Sequence, residues 1–135
     1  NTALVYVLGK RLLQDHWGGV ITALLFALHP MHVESVAWIA ERKDVLYTCF
    51  FLLSTLAYLR YAEGKNAGAL VASLVFFTMA LMSKSAAAAL APLLFVLDYW
   101  LGRKLTVRLV LEKLPYFALA IGFGIVALSS QAGAM

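Results

Sequence analysis

The chain has 135 residues, 63% of them hydrophobic and 13% charged, with eleven Lys and Arg against seven Asp and Glu for a net charge of +4. Soluble domains carry about 25% charged residues, so this composition excludes a water-solvated surface and requires a bilayer as solvent. The single Cys49 excludes an internal disulfide, and the basic excess, spread over short loops without stacking aromatics between them, excludes a nucleic-acid face.

In chain order, Thr2 to Leu8 reads as the tail of a helix that ends at Gly9-Lys10-Arg11, and Trp17 to Leu28 is an apolar block shorter than the ~20 residues needed to cross hydrocarbon. Val45 to Tyr61, Ala67 to Met82, Ala86 to Leu101 and Leu114 to Ser130 each approach spanning length once tilt is allowed. None shows the period-2 alternation of a membrane strand, and only helices or closed barrels satisfy their backbone inside lipid. The predicted fold class is therefore all-α, a polytopic transmembrane helical bundle of about five full spans plus one truncated span. It forms a single transmembrane domain over 1–135 with no soluble domain. The chain begins at Asn1 without the features of a signal peptide and reads as a fragment of something longer. Gly122, Gly124 and the alanine run 86–89 read as close-packing positions. Asp98, near the end of its block, reads as a structural partner of Arg103 in preference to a proton relay.

If the spans alternate, Lys10, Arg11, Arg60, Lys65, Arg103, Lys104, Arg108 and Lys113 share one side and Arg42, Lys43 and Lys84 the other. Basic residues in short loops stay cytoplasmic, so the larger set marks the cytoplasmic face, where it also meets anionic headgroups. The smaller set faces the periplasm or lumen.

On that second face His29 to Asp44 holds two of the three histidines and three of the seven acids in sixteen residues. Pro30 suits the first turn of a helix, and Met31, Val33, Val36, Trp38 and Ile39 make the segment apolar enough to lie at the interface, the depth tryptophan prefers. Lys84 emerges on the same side. Arg42, Lys43 and Lys84 suit an anionic group such as the phosphate of a lipid-linked donor. His32, with Glu34 or Asp44, can orient an acceptor hydroxyl or move a proton. His29, His32 and Glu34 carry donors that a metal accepts, but their spacing departs from the i, i+4 histidines of the helical zinc-protease motif, and no metal is assigned. A charged loop also serves simple topology, and both readings stay open at this point.

The run from Leu25 to Leu46, LFALHPMHVESVAWIAERKDVL, resembles the membrane portion of the transmembrane and tetratricopeptide-repeat-containing proteins, which look like O-mannosyltransferases of the GT-C superfamily. In that family His-Pro-x-His-x-Glu, then Ala-Trp-Ile and Arg-x-Asp, follows a short span. Here these are His29, Pro30, His32, Glu34, Ala37 to Ile39, Arg42 and Asp44. A second signature, Ser-Lys-Glu before a Pro-containing span, is met by Ser83 and Lys84, with Ser85 in place of the acid; Pro92 and Asp98 also fit.

The resemblance implies a polyprenyl- or dolichyl-phosphate-linked, mannose-like sugar as donor substrate, with no further cofactor, and transfer to a protein hydroxyl or another acceptor. The site would face the periplasm of a bacterial inner membrane or the lumen of the endoplasmic reticulum. It places the principal catalytic acid upstream of Asn1 and the tetratricopeptide repeats beyond Met135. This chain would then supply the wall of the site, with His29, His32, Glu34, Arg42, Lys43, Asp44 and Lys84 binding donor phosphate or acceptor. A transporter using His29, His32, Glu34 and Asp98, and a non-catalytic membrane anchor for a repeat domain, are the alternatives.

Overall fold

The computed structural model describes residues 1–29, 42–104 and 106–132, and every regular element among them is helical. Helix α1 (Thr2–Leu13) and helix α2 (His16–Leu28) form a hairpin. Gln14 turns the chain in the left-handed region (φ 55°), and Asp15 caps α2 by accepting the Gly18 N–H at 2.6 Å. Thus α1 runs through Gly9-Lys10-Arg11, where its sequence suggests an end, to Leu13. Gly9 lies inside it, where the two helices cross: a Cβ on Gly9 would stand 3.3 Å from Gly19 Cα, and one on Gly19 would stand 3.0 Å from the Lys10 backbone nitrogen. The glycines here remove side-chain bulk at a close approach. Gly122 and Gly124, expected to do the same, are open: a Cβ on either would have nothing among the described residues within 4 Å.

Helix α3 (Arg42–Gly64) is the longest element, and helix α4 (Ala67–Ser83) returns beside it. Lys65 makes the turn at φ 50°, and Asn66 caps α4 by accepting from Gly68 N at 2.9 Å. Midway along, Ser54 Oγ donates to the Ser73 carbonyl at 2.7 Å while Ser73 Oγ donates to the Ser54 carbonyl at 2.8 Å. Reciprocal small hydroxyls of this kind let two helices approach closely in an apolar medium.

The apolar run 86–101 is two elements, not one helix. Lys84 is extended (φ −157°), Ser85–Ala89 winds as a 3-10 helix, and helix α5 (Leu90–Trp100) begins only then. Pro92 explains the break, since it has no N–H to donate to Ala88 and is tolerated only in a first helical turn. Ala87, fully buried, lets the tight segment press against α4 and helix α7 (Leu114–Ala132). Between α5 and α7 lies the single-turn helix α6 (Val107–Leu111). Tyr58, Phe77, Leu90, Leu94 and Tyr116 are the centre of the core.

Two segments, Lys43–Gly64 and Val107–Ala127, are long and apolar enough to cross a membrane; α2, α4 and Ser85–Trp100 are shorter apolar helices. Large apolar side chains cover much of the outside, including Trp17, Leu28, Val71, Met82, Ile121 and Val126. Such a surface is stable against lipid or further protein and not against water.

Candidate functional site

Polar groups gather at the two ends of the helices. At the first end, Asn1 donates to the Val45 carbonyl at 2.9 Å, tying the start of α1 to the first turn of α3. Asp44 stands in that turn, and Lys84 projects from the break between α4 and the 3-10 helix. Lys84 Nζ donates to both Asp44 oxygens, at 2.7 and 2.8 Å. The pair is partly exposed, 39% for the Lys84 side chain and 22% for Asp44. Extended backbone at Lys84 swings its side chain away from the helix axis, and the cap N–H still bonds to the Ala80 carbonyl at 2.9 Å.

Of the residues singled out by sequence, Asp44 and Lys84 are brought together. Lys43 is exposed beside them, and His29, exposed at the C-terminus of α2, lies at the same end because α2 runs antiparallel to α1. Arg42 opens α3, and its side chain is not among those described. His32, Glu34 and the stretch around Trp38, expected from sequence to lie at the interface, are outside the described residues.

The opposite end holds a cluster that the sequence reveals only in part. Asp98 pairs with Arg103 as anticipated, Arg103 Nη1 donating to Oδ1 at 2.8 Å. Asp98 also takes the Tyr58 hydroxyl at 2.8 Å and forms an ion pair with Lys113. Lys113 Nζ donates to Tyr58 Oη at 2.6 Å and lies 5.0 Å from that ring. Arg103 Nη2 reaches Glu112 at 3.3 Å. Lys113 and Asp98 are wholly buried, so Lys113, counted from sequence among the solvated loop charges, is a core residue. Buried Lys113 and largely buried Arg103 face the carboxylates of Asp98 and Glu112, and the exposed Arg108 adds a third cation 3.7 Å from Glu112. The Tyr58 hydroxyl gives one proton to Asp98 and accepts from Lys113 and Arg103, its full capacity. Burial alone would lower the Arg103 pKa; the hydrogen bond and charge of Asp98 outweigh it and hold Arg103 above its ordinary value. The signal for this cluster in the sequence is an acid inside an apolar block, which by itself marks a paired or functional group.

Asp44 and Tyr58 are fourteen positions apart on α3, so the two ends are separated by roughly 20 Å at 1.5 Å per residue. Asp98 therefore belongs to a different place from the Asp44–Lys84 pair. Closed upon its own partners, the inner cluster acts as a structural knot joining α3, α5 and α7.

A family model described as dolichyl-phosphate-mannose-protein mannosyltransferase matches residues 1–129. The chain belongs to that family. Among curated relatives, it is 43% identical over 65 residues to protein O-mannosyl-transferase TMTC1 of Mus musculus, covering 48% of this chain and 7% of that protein. To protein O-mannosyl-transferase Tmtc2 of Drosophila melanogaster it is 35% identical over 92 residues, covering 64% of this chain and 10% of the relative. Tmtc1 of the same fly is 33% identical over 86 residues, with 64% and 10% covered. The chain thus spans about a tenth of the length of the curated relatives it matches. No solved structure matches it.

Proposed function

We propose that the chain is part of a membrane glycosyltransferase that moves a mannose-like sugar from a polyprenyl- or dolichyl-phosphate carrier to a protein hydroxyl on the non-cytoplasmic face. Membership of the mannosyltransferase family carries this reading, and the Asp44–Lys84 pair, charged groups held at the end of the bundle read as non-cytoplasmic, supports putting the donor site there. In the transfer, a bond forms between the anomeric carbon and the acceptor oxygen while the bond to the carrier phosphate breaks. The departing phosphate gains negative charge, and the acceptor hydroxyl loses its proton. Lys84, with Arg42 and Lys43 from the first turn of α3, supplies positive charge where the phosphate departs. Asp44 holds Lys84 in place. His29, His32 and Glu34 brace the acceptor side. The principal acid that accepts the hydroxyl proton comes from another part of the whole protein. The shorter apolar helices complete further crossings, to about five full spans.

One observation favours a second reading. Lys84 and Asp44 neutralise one another, as they would in a non-catalytic membrane anchor for a repeat domain. A transporter fits less well, because the ionisable groups stand at opposite ends of the bundle. The test is transfer of labelled mannose from polyprenyl- and dolichyl-phosphate donors by the full-length protein in membranes. Wild type transfers to a protein acceptor, and His32→Ala, Glu34→Gln and Arg42→Ala lose transfer at matched expression. Equal activity in all three variants returns this end of the bundle to topology and packing, and no transfer from either donor by wild type leaves the anchor reading.

A further inference from the structure

At the end of the bundle opposite Lys84, Arg11 and Arg60 stand at the head of a groove that the transferase reading does not use. Helix α3 floors it, and α1 and α4 are its walls. Leu4 and Arg11 bound it on α1, Leu53 and Arg60 on α3, and Phe76 and Ala72 on α4, with Ala57 keeping the floor low. Each wall runs seven positions or fewer along its helix, giving an apolar channel roughly 10 Å long with both arginines at one end. Its volume is about 370 Å³, within the roughly 300–1,000 Å³ of small-ligand pockets.

The cationic end is only partly neutralised from within, by one long ion pair for two arginines. Arg11 Nη1 is shielded from solvent but makes no hydrogen bond among the described residues, and the nearest acid oxygen, Glu63 Oε2, is 3.8 Å away. Arg60 is exposed and has no side-chain partner among them. A buried guanidinium donor without an acceptor is costly, and the groove leads directly from it into apolar surface. The complementary occupant has an anionic head with strong acceptor oxygens and a hydrocarbon tail. Both parts are delivered together by a membrane phospholipid, whereas a packing helix would fill the channel and leave the guanidinium groups unmet unless it brought an acid.

We infer that this groove holds one acyl chain of an anionic glycerophospholipid, with the lipid phosphate accepting hydrogen bonds from Arg11 and Arg60. The bound lipid would wedge α1 against α4, which otherwise meet through α3. The inference is independent of the transferase reading.

Native mass spectrometry of the full-length protein, exposed in turn to phosphatidylglycerol, phosphatidylcholine and polyprenyl phosphate, tests it. Phosphatidylglycerol is retained over phosphatidylcholine, and retention weakens about fivefold for Arg11→Gln or Arg60→Gln, the value of one basic residue at an anionic headgroup. Ala72→Phe, which fills the channel, removes the adduct, and melting in phosphatidylcholine verifies that each variant is folded. Equal retention by wild type and the arginine variants overturns the inference, as does stronger retention of polyprenyl phosphate than of phosphatidylglycerol. So does a cross-link from a cysteine at Ala72 to a helix elsewhere in the whole protein, which would identify that helix as the occupant.

Discussion

Lys113 carries a charge to a place without solvent, and Asp98 is what makes that tolerable. Removing one member of a buried ion pair leaves the other unpaired, at a cost of about 3–5 kcal/mol. Asp98→Asn is therefore expected to destabilise the full-length protein by that amount in detergent melting. Combining it with Lys113→Met should cost clearly less than the sum of the two single changes. Additive losses would show that the two charges do not depend on one another. The Asp98–Arg103 pair is legible in the sequence because an acid at the end of an apolar block has a cation five residues on. The burial of Lys113 is not legible. Its neighbours Arg108 and Glu112 make it look like one more loop charge, and only the packing of Tyr58 and Phe95 over it sets its depth.

At the level of elements, the helices are readable from their apolar blocks, and the departures fall where a single residue overrides the pattern. Gly9 reads as a stop and is a crossing point; Pro92 sits inside an apparent span and divides it. Gly19→Leu forces side chain against the Lys10 backbone and is expected to cost about 1–3 kcal/mol, as overpacking does. Gly122→Ala, with open space around it, is expected to be neutral or to stabilise by up to about 1 kcal/mol through helix propensity. Melting of the two variants side by side checks both, and the reverse order would show that α7 and not the α1–α2 crossing is the tight interface. Ser73 is where Ser54 and the Tyr116 hydroxyl converge, the latter donating at 2.7 Å. Ser73→Ala should cost roughly 1 kcal/mol, in line with polar contacts between membrane helices, and no change in melting would remove it from the account of how α3 holds α4.

Across the described residues, the ion pairs gather at two ends of the bundle with an apolar middle between them. Arg11 approaches Glu63, Trp100 Nε1 donates to the Leu12 carbonyl at 3.1 Å, and Lys65, Arg103, Lys104 and Arg108 line one cavity, all at one end. Asp44 and Lys84 are at the other. Membrane-impermeant labelling of single cysteines, with Cys49 replaced by Ser, is expected to place Lys65→Cys and Lys104→Cys on the cytoplasmic side and Lys43→Cys on the far side. Labelling of all three from one side would refute the bundle's orientation. The candidate site is legible as a set of residue types, but the sequence cannot say which of them touch: the forty-residue separation of Asp44 and Lys84 is closed only by the return of α4 along α3. The most direct measurement is the kinetics of mannosyl transfer by the full-length protein with Lys84→Met, set beside its melting temperature. A partly exposed ion pair is worth about 1 kcal/mol or less in stability, so folding should be almost unchanged. A lost charge-assisted contact to phosphate should lower kcat/KM for the lipid-linked donor by roughly tenfold to a hundredfold. Unchanged kcat/KM in a folded variant would contradict the placement of the donor phosphate at Lys84.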